Sequence, residues 1–331
     1  MCNHRTGGEE VNLRPENLKK KKRGKTKLLK LIEFGAVYTL LSIVRITPMT
    51  CIRVISILMG ALFFFISPKR RGIAIGNLTS AFGDEKTAVE IRNIAKDSFR
   101  SFFLTFFEII KFQHLFDSED AADRIRNTAD GLEALFQKAK AIHDESGGCI
   151  FVTPHIGNWE VLPRVSRLVG IPLAIIARPL DNEYLNDLLL KKRAVSGQII
   201  MPKRNSFFAL QDTLKKGKSV GMLPDQSTMK GIFVDFFGRK ATTTPVPALL
   251  AISHKRPIVV VACCRKERGQ YVGFVCDPIW PKDFESEKAE IFRLTQEMNR
   301  NMEMIIRKYP GQYLWMHNRW KTYKNKKELF T

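Results

Sequence analysis

The string Thr153-Pro154-His155-Ile156-Gly157-Asn158-Trp159-Glu160 holds two residues of the types that general base catalysis needs. The ordinary pKa of histidine lies close to neutrality. A carboxylate bonded to one ring nitrogen fixes the tautomer and steadies the charge gained when the other nitrogen takes a proton. Paired in this way, His155 and Glu160 would deprotonate a hydroxyl beside an acyl thioester, and the alkoxide would attack the carbonyl directly. The string contains no serine or cysteine, so no covalent acyl-enzyme is expected. Spacing alone is weak evidence, because a bare H-x4-E is far more often two solvated residues at a turn.

The surrounding pattern restricts how the two can meet. Each helical residue turns about 100°, so a five-residue separation puts His and Glu on different faces of a regular helix. They approach only if His155 precedes the helix and Glu160 lies in its first turn. The apolar run Ile150 to Thr153 reads as a strand and Glu160 to Leu168 as a helix, which places His155 at a strand's carboxyl end, where open α/β sheets bind ligands. Further short runs repeat this alternation: Leu173 to Ala177, Ile199 to Met201, Val220 to Leu223, Ile258 to Cys264 and Tyr271 to Cys276. Helices are expected at Asn182 to Ala194, Ser206 to Lys215, Pro247 to His254 and Glu285 to Lys308. Between Lys86 and Phe116 the apolar residues Ile91, Ala95, Phe99, Phe102, Phe106 and Ile109 recur at helical spacing.

Other side chains fall at the same edge. Arg178 ends an apolar strand before a proline, where it could hold a phosphate or polarise a thioester carbonyl; an exposed turn arginine is the equal alternative from position alone. Asp225 with Gln226 follows Val-Gly-Met-Leu-Pro, where the pair could orient Arg178 or an acceptor; a turn aspartate is the plainer reading. Phe233, Phe236 and Phe237 are candidates for an acyl-chain groove, against the alternative of core aromatics. Arg319 with Lys321 suits anionic head groups, and Trp315 and Trp320 suit either a membrane interface or packing. His114, His143, His254 and His317 show no partner spacing.

Charge and hydropathy say where such an enzyme would work. The chain has 331 residues, with 54 Lys plus Arg against 33 Asp plus Glu, a net charge of +21. That balance calls for an anionic partner: phospholipid head groups, a phosphorylated glycolipid, an acidic protein or nucleic acid. Aromatics do not alternate with Lys and Arg as an RNA-binding sheet requires, so no nucleic acid is expected. Lys19 to Lys30 is strongly basic and precedes two apolar stretches, Phe34 to Val44 and Val54 to Ser67, broken around Pro48. Residues 1–30 read as a basic disordered tail, 31–67 as a membrane-anchoring segment, and 68–331 as one catalytic domain whose lead-in, 68–145, is helical. The anchor either spans with its arginines snorkelling or lies in the cytoplasmic leaflet; a buried soluble helix is the bland alternative. Six cysteines without CxxC or zinc-like spacing indicate neither disulfides nor a structural metal.

His155-Ile-Gly-Asn-Trp-Glu160 resembles the H-x4-[DE] block of the lysophospholipid acyltransferase superfamily, and within it the lipid A biosynthesis lauroyl/myristoyl acyltransferase family. Four further segments resemble that family in order: Arg70 to Phe82; Ala177-Arg178-Pro179 to Asn182; Leu223-Pro224-Asp225-Gln226 with Phe236-Phe237-Gly238 and Thr242 to Pro245; and Leu314 to Lys321. The resemblance implies a mixed α/β sheet flanked by helices, glycerol-3-phosphate acyltransferase-like, with an N-terminal membrane anchor. It also implies a bacterial inner-membrane enzyme facing the cytoplasm. Such an enzyme transfers a fatty acyl chain from acyl carrier protein, or less often coenzyme A, to a hydroxyl of a lipid A precursor, with His155 as base and no cofactor or metal. Arg178, Asp225, Gln226 and Arg319 would contact substrate. The same chemistry on a lysophospholipid, phosphoinositol mannoside or aminolipid stays open, as does a non-catalytic basic membrane-binding protein.

Overall fold

A computed structural model of the chain describes residues 26–115, 132–177, 182–187, 199–202, 206–266, 270–283 and 285–323. Residues 1–25 of the basic tail, Arg178, and most of the helix expected over Asn182 to Ala194 lie outside them.

The apolar N-terminal segment forms two helices, α1 (Lys27–Ile46) and α2 (Met49–Ile66). The break falls at Thr47-Pro48: Thr47 is extended, and proline, which cannot donate to the preceding turn, stands just before α2. α3 (Pro68–Phe82) follows with proline at its first position, where the missing N–H costs nothing. It leads into α4 (Ala88–Leu115), 28 residues long. α2 buries Ile52, Ser56, Gly60 and Phe64, one stripe at four-residue spacing, against α4. Ile52 meets the Leu104 and Phe107 end of α4, and Phe64 stacks edge-on to Phe99, so the two helices run antiparallel. Gly60 permits the close approach, since a Cβ there would lie 2.8 Å from the Arg100 backbone. The other face of α2 exposes Val54, Leu58, Leu62, Phe65 and Ile66.

The chain continues with α5 (Leu132–Ser146), β1 (Ile150–Val152), α6 (Leu162–Leu168), β2 (Leu173–Ala177), β3 (Ile199–Pro202), α7 (Ser206–Lys215) and β4 (Ser219–Met222). A hairpin of β5 (Ile232–Phe236) and β6 (Arg239–Thr243) comes next. After it come α8 (Val246–His254), β7 (Ile258–Arg265), β8 (Tyr271–Val275), α9 (Glu287–Lys308) and a short 3-10 turn at Pro310–Gln312. The main sheet has the order β3-β2-β4-β1-β7-β8, parallel except for β8, so the fold is mixed α/β with helices on its faces. β1 and β7 are buried almost throughout, as parallel strands covered on both faces must be.

All six main-sheet strands form within a residue of the expected bounds. The β5–β6 hairpin was not anticipated. Its two-residue turn puts Phe237 and Gly238 at φ 52° and 69°, and a phenylalanine in the left-handed position hides a turn that Asn-Gly would announce. Packing holds the turn instead: Phe237 is buried against Phe82 and Trp315, while Gln296 and Asn299 of α9 bond the Asp235 backbone.

Because α2 and α4 touch backbone to backbone at Gly60, Gly60→Leu should force them apart. Chemical unfolding in mild detergent should show a loss of about 1–3 kcal/mol, the usual cost of overpacking, and an unchanged midpoint would refute the close contact.

Candidate active site

β1 and β4 lie side by side in parallel, with Val152 registered on Met222. Each then runs through one residue and a proline to a polar side chain: Thr153-Pro154-His155 from β1, Leu223-Pro224-Asp225 from β4. Equal offsets from a registered pair bring His155 and Asp225 together. The His155 ring donates from Nδ1 to Asp225 Oδ1 at 2.7 Å, and the His155 backbone N–H donates to Oδ2 at 2.8 Å. Both carboxylate oxygens are engaged by one residue, so the ring is fixed in position and tautomer, and Nε2 is left as the proton-accepting atom. Nε2 lies 3.4 Å from the Gln226 side-chain amide, and the indole of Trp159 packs edge-on to the imidazole at 5.2 Å.

This corrects the expected pairing: the group that holds the His155 ring is Asp225. α6 begins at Leu162, so Glu160 sits in a turn ahead of the helix and not in its first turn as the pairing required. Glu160 acts on His155 through its charge. Burial lowers the His155 pKa, but the Asp225 charge, the Asp225 hydrogen bond and the Glu160 charge outweigh it, and the net direction is upward. Burial works to raise Asp225 as well. It is overcome by His155, through charge and two hydrogen bonds, and by the charge of Arg319, so the carboxyl stays below its ordinary range.

Arg319 is also placed differently from expectation. It is 1 % exposed, with Nη1 donating to the Thr242 carbonyl at 2.7 Å and Nη2 to Thr243 Oγ1 at 2.6 Å, and its guanidinium lies 4.8 Å from the centre of the Phe236 ring. It is a buried counter-charge for Asp225 and a clamp on β6, out of reach of a head group. Phe236 and Phe237 are core residues, the plainer of the two readings, and Phe233 is half-buried on β5. Trp315 is buried, its indole donating to the Pro310 carbonyl.

An apolar cavity lies elsewhere, between α5, α6 and the sheet, lined by Phe136, Phe151, Trp159, Leu162, Gly221 and Leu223 among others. Trp159 belongs both to this cavity and to the surroundings of His155. Gly221 on β4 sits close under this lining, where a Cβ would press on the side chains of Ile175 and Leu173 at 3.1 and 3.3 Å.

The back of the catalytic loop is fastened by residues that sequence reasoning missed. Gly157 has φ +57°, and a Cβ would fall 2.1 Å from the Cys263 carbonyl, so only glycine fits against β7. Its carbonyl accepts from Thr105 Oγ1 at 2.7 Å, and the Asn158 side chain donates to Glu108 at 3.1 Å. Glu108 is 2 % exposed and paired with Arg265, which also donates to Ser101 and Thr105. On the other flank, Leu314 N–H donates to the His155 carbonyl, and Asn77 of α3 holds the Trp315 and His317 carbonyls. Polar residues recurring along α4 (Ser98, Ser101, Thr105, Glu108) were the available sign that this face meets polar backbone rather than a uniform core.

A histidine held by a buried carboxylate at the strand ends of a mixed α/β sheet can serve as a general base. A sequence profile of bacterial lipid A biosynthesis acyltransferases matches residues 21–322, and the chain belongs to that family. It is similar to the lipid A biosynthesis palmitoleoyltransferase of Escherichia coli (strain K12), 27% identical over 270 residues, 80% of this chain and 83% of the relative. A lipid A biosynthesis acyltransferase of Haemophilus influenzae is 24% identical, covering 60% of this chain and 61% of its own. A phosphatidylinositol mannoside acyltransferase of Mycolicibacterium smegmatis is 22% identical over 54% of this chain and 58% of its own.

The acid limb of the pH–rate profile should report His155. Transfer should rise as pH climbs through a pKa above the ordinary 6.5 of histidine, because only the neutral ring accepts a proton. Asp225→Asn removes the charge that favours the imidazolium, so the limb should move to lower pH while kcat falls on the order of 10²-fold or more. Glu160→Gln should move it the same way by less. If Glu160→Gln gave the larger shift and Asp225→Asn none, the assignment of Asp225 as the positioning group would be wrong.

Proposed function

We propose that the protein transfers a fatty acyl chain from acyl carrier protein to a hydroxyl of a lipid A precursor at the cytoplasmic face of the bacterial inner membrane. The observation that carries this reading is the His155 ring held through Nδ1 by Asp225, with Nε2 facing the Gln226 amide and the ring packed on Trp159, which lines an apolar cavity. Nε2 takes the proton of the acceptor hydroxyl as the oxygen attacks the thioester carbonyl. The thiolate of the carrier then leaves, and the imidazolium, stabilised by Asp225, returns the proton to it. No bond to the enzyme forms. Gln226 lies where an amide could donate to the acceptor or thioester oxygen. Arg178 keeps its proposed role of holding a phosphate.

The acyl chain enters the cavity lined by Phe136, Phe151 and Gly221. Its lining is almost wholly apolar, as a hydrocarbon chain requires. The net charge of +21 suits both an acidic carrier protein and a phosphorylated glycolipid.

α2 is the one described helix long and apolar enough to cross a membrane. The arrangement supports the other possibility, a helical pair lying in the cytoplasmic leaflet. Much of α2 runs along α4, and α4 carries the polar fasteners of the catalytic loop, so α2 cannot stand across a bilayer without taking that loop with it.

The test is mass spectrometry of lipids formed when purified protein receives acyl carrier protein loaded with several chain lengths. Parallel arms supply a tetra-acylated lipid A precursor, a lysophospholipid and a phosphatidylinositol mannoside. Acylation of the lipid A precursor alone is expected, and exclusive use of another acceptor would overturn that part of the reading. His155→Ala should lower kcat about 10²–10⁴-fold while leaving the fold intact. Gly221→Leu should shift donor preference towards chains shorter by at least about two methylenes, each worth roughly 0.8 kcal/mol of burial; an unchanged chain profile would place the chain elsewhere.

A further inference from the structure

A second cavity, of about 830 Å³, opens where α2, α4, the end of β7 and the 3-10 turn meet. That is ample for a head group, since ligand sites run from roughly 300 to 1,000 Å³. Its cations are Arg53 of α2, Arg100 of α4, and Arg265 and Lys266 at the end of β7. Arg265 is consumed by Glu108. The side chains of Arg53, Arg100 and Lys266 have no salt bridge or hydrogen bond among the described residues. Asp97 is the remaining carboxylate of the lining. Burial pushes its pKa up, against the pull of Arg100 and Lys96, and it stands against three free cations. The cavity meets the catalytic loop through Gln312 and Glu108, which bond Gly157 and Asn158, and does not include His155, Asp225 or Gln226.

Placement says what kind of anion would arrive. Arg53 lies in the second turn of α2, next to the exposed apolar residues Val54, Leu58 and Leu62 of the same helix. A ligand with its charge among Arg53, Arg100 and Lys266 can lay hydrocarbon along that face. We propose that this cavity binds the phosphate head group of an anionic membrane phospholipid, separate from the acyl acceptor, with the lipid's chains running along α2. The proposal rests on α1 and α2 lying in the leaflet. Such a lipid would bridge α2 and α4 beside the buried Glu108–Arg265 pair that fastens the catalytic loop.

The full chain would be floated with vesicles of phosphatidylcholine alone and with phosphatidylglycerol added. Wild type, Arg53→Gln/Arg100→Gln and the exposed single variant Lys266→Gln would be compared, and phosphatidylglycerol adducts counted by native mass spectrometry in neutral detergent. Wild type should bind neutral vesicles through its apolar helices and gain affinity and one retained adduct with phosphatidylglycerol. The double variant should still bind neutral vesicles and transfer acyl groups in neutral detergent, yet lose the adduct and at least about tenfold of the anionic preference. Lys266→Gln should lose part of it. Failure of wild type to bind neutral vesicles would remove the leaflet reading. Binding to neutral vesicles with an equal anionic preference in the double variant would overturn the site alone. An arm with inorganic phosphate separates the sources: equal thermal stabilisation by phosphate and by phosphatidylglycerol, both lost in the double variant, would make this a free-phosphate site and overturn the lipid assignment.

Discussion

The site depends on one doubled contact, in which a single carboxylate, Asp225, receives both the ring and the backbone N–H of His155. A ring bond alone would leave the imidazole free to swing about the chain, and a backbone bond alone would leave its tautomer open. Together they fix the loop and the ring to the same buried group. The carboxylate stays charged in a nearly dry place because His155 and Arg319 oppose the penalty of burial. The parallel register of β1 on β4 makes the contact possible, so the chemistry of the loop is inherited from strand pairing.

The alternation of short apolar runs and helical segments was plain in the sequence because parallel strands buried on both faces have little freedom of composition. His155 was legible for the same reason, as a polar residue just past such a run. Its partner was misread. Glu160 is close in sequence and the motif invites the pairing, but sequence distance says little about which strand lies alongside. Only the register of two strands brings Asp225, seventy residues away, onto the His155 ring. The repeated Pro-His and Pro-Asp endings of β1 and β4 were a sign that could have been used. Arg319 was misplaced for a related reason: a cation near tryptophans suits an interface by composition, whereas its burial follows from the β5–β6 hairpin, whose turn carries phenylalanine where asparagine is usual.

α4 joins what would otherwise be separate parts. One face accepts α2 at the distance of a missing side chain, and another offers Thr105 and Glu108 to the loop and Ser101 to Arg265. Burying Glu108 with Arg265 is costly in isolation. Here Glu108 also accepts from the Asn158 side-chain N–H, so the same charges that cost desolvation hold the loop behind His155.

This sandwich has a geometric consequence. On the proposed leaflet placement, the packing of α2 on α4 ties the height of the His155 loop above the lipid surface to the stacking of helices about 10 Å thick. On that placement the enzyme would act as a depth gauge, reaching hydroxyls carried in or just above the plane of the head groups and passing over those held further out on an extended polar chain.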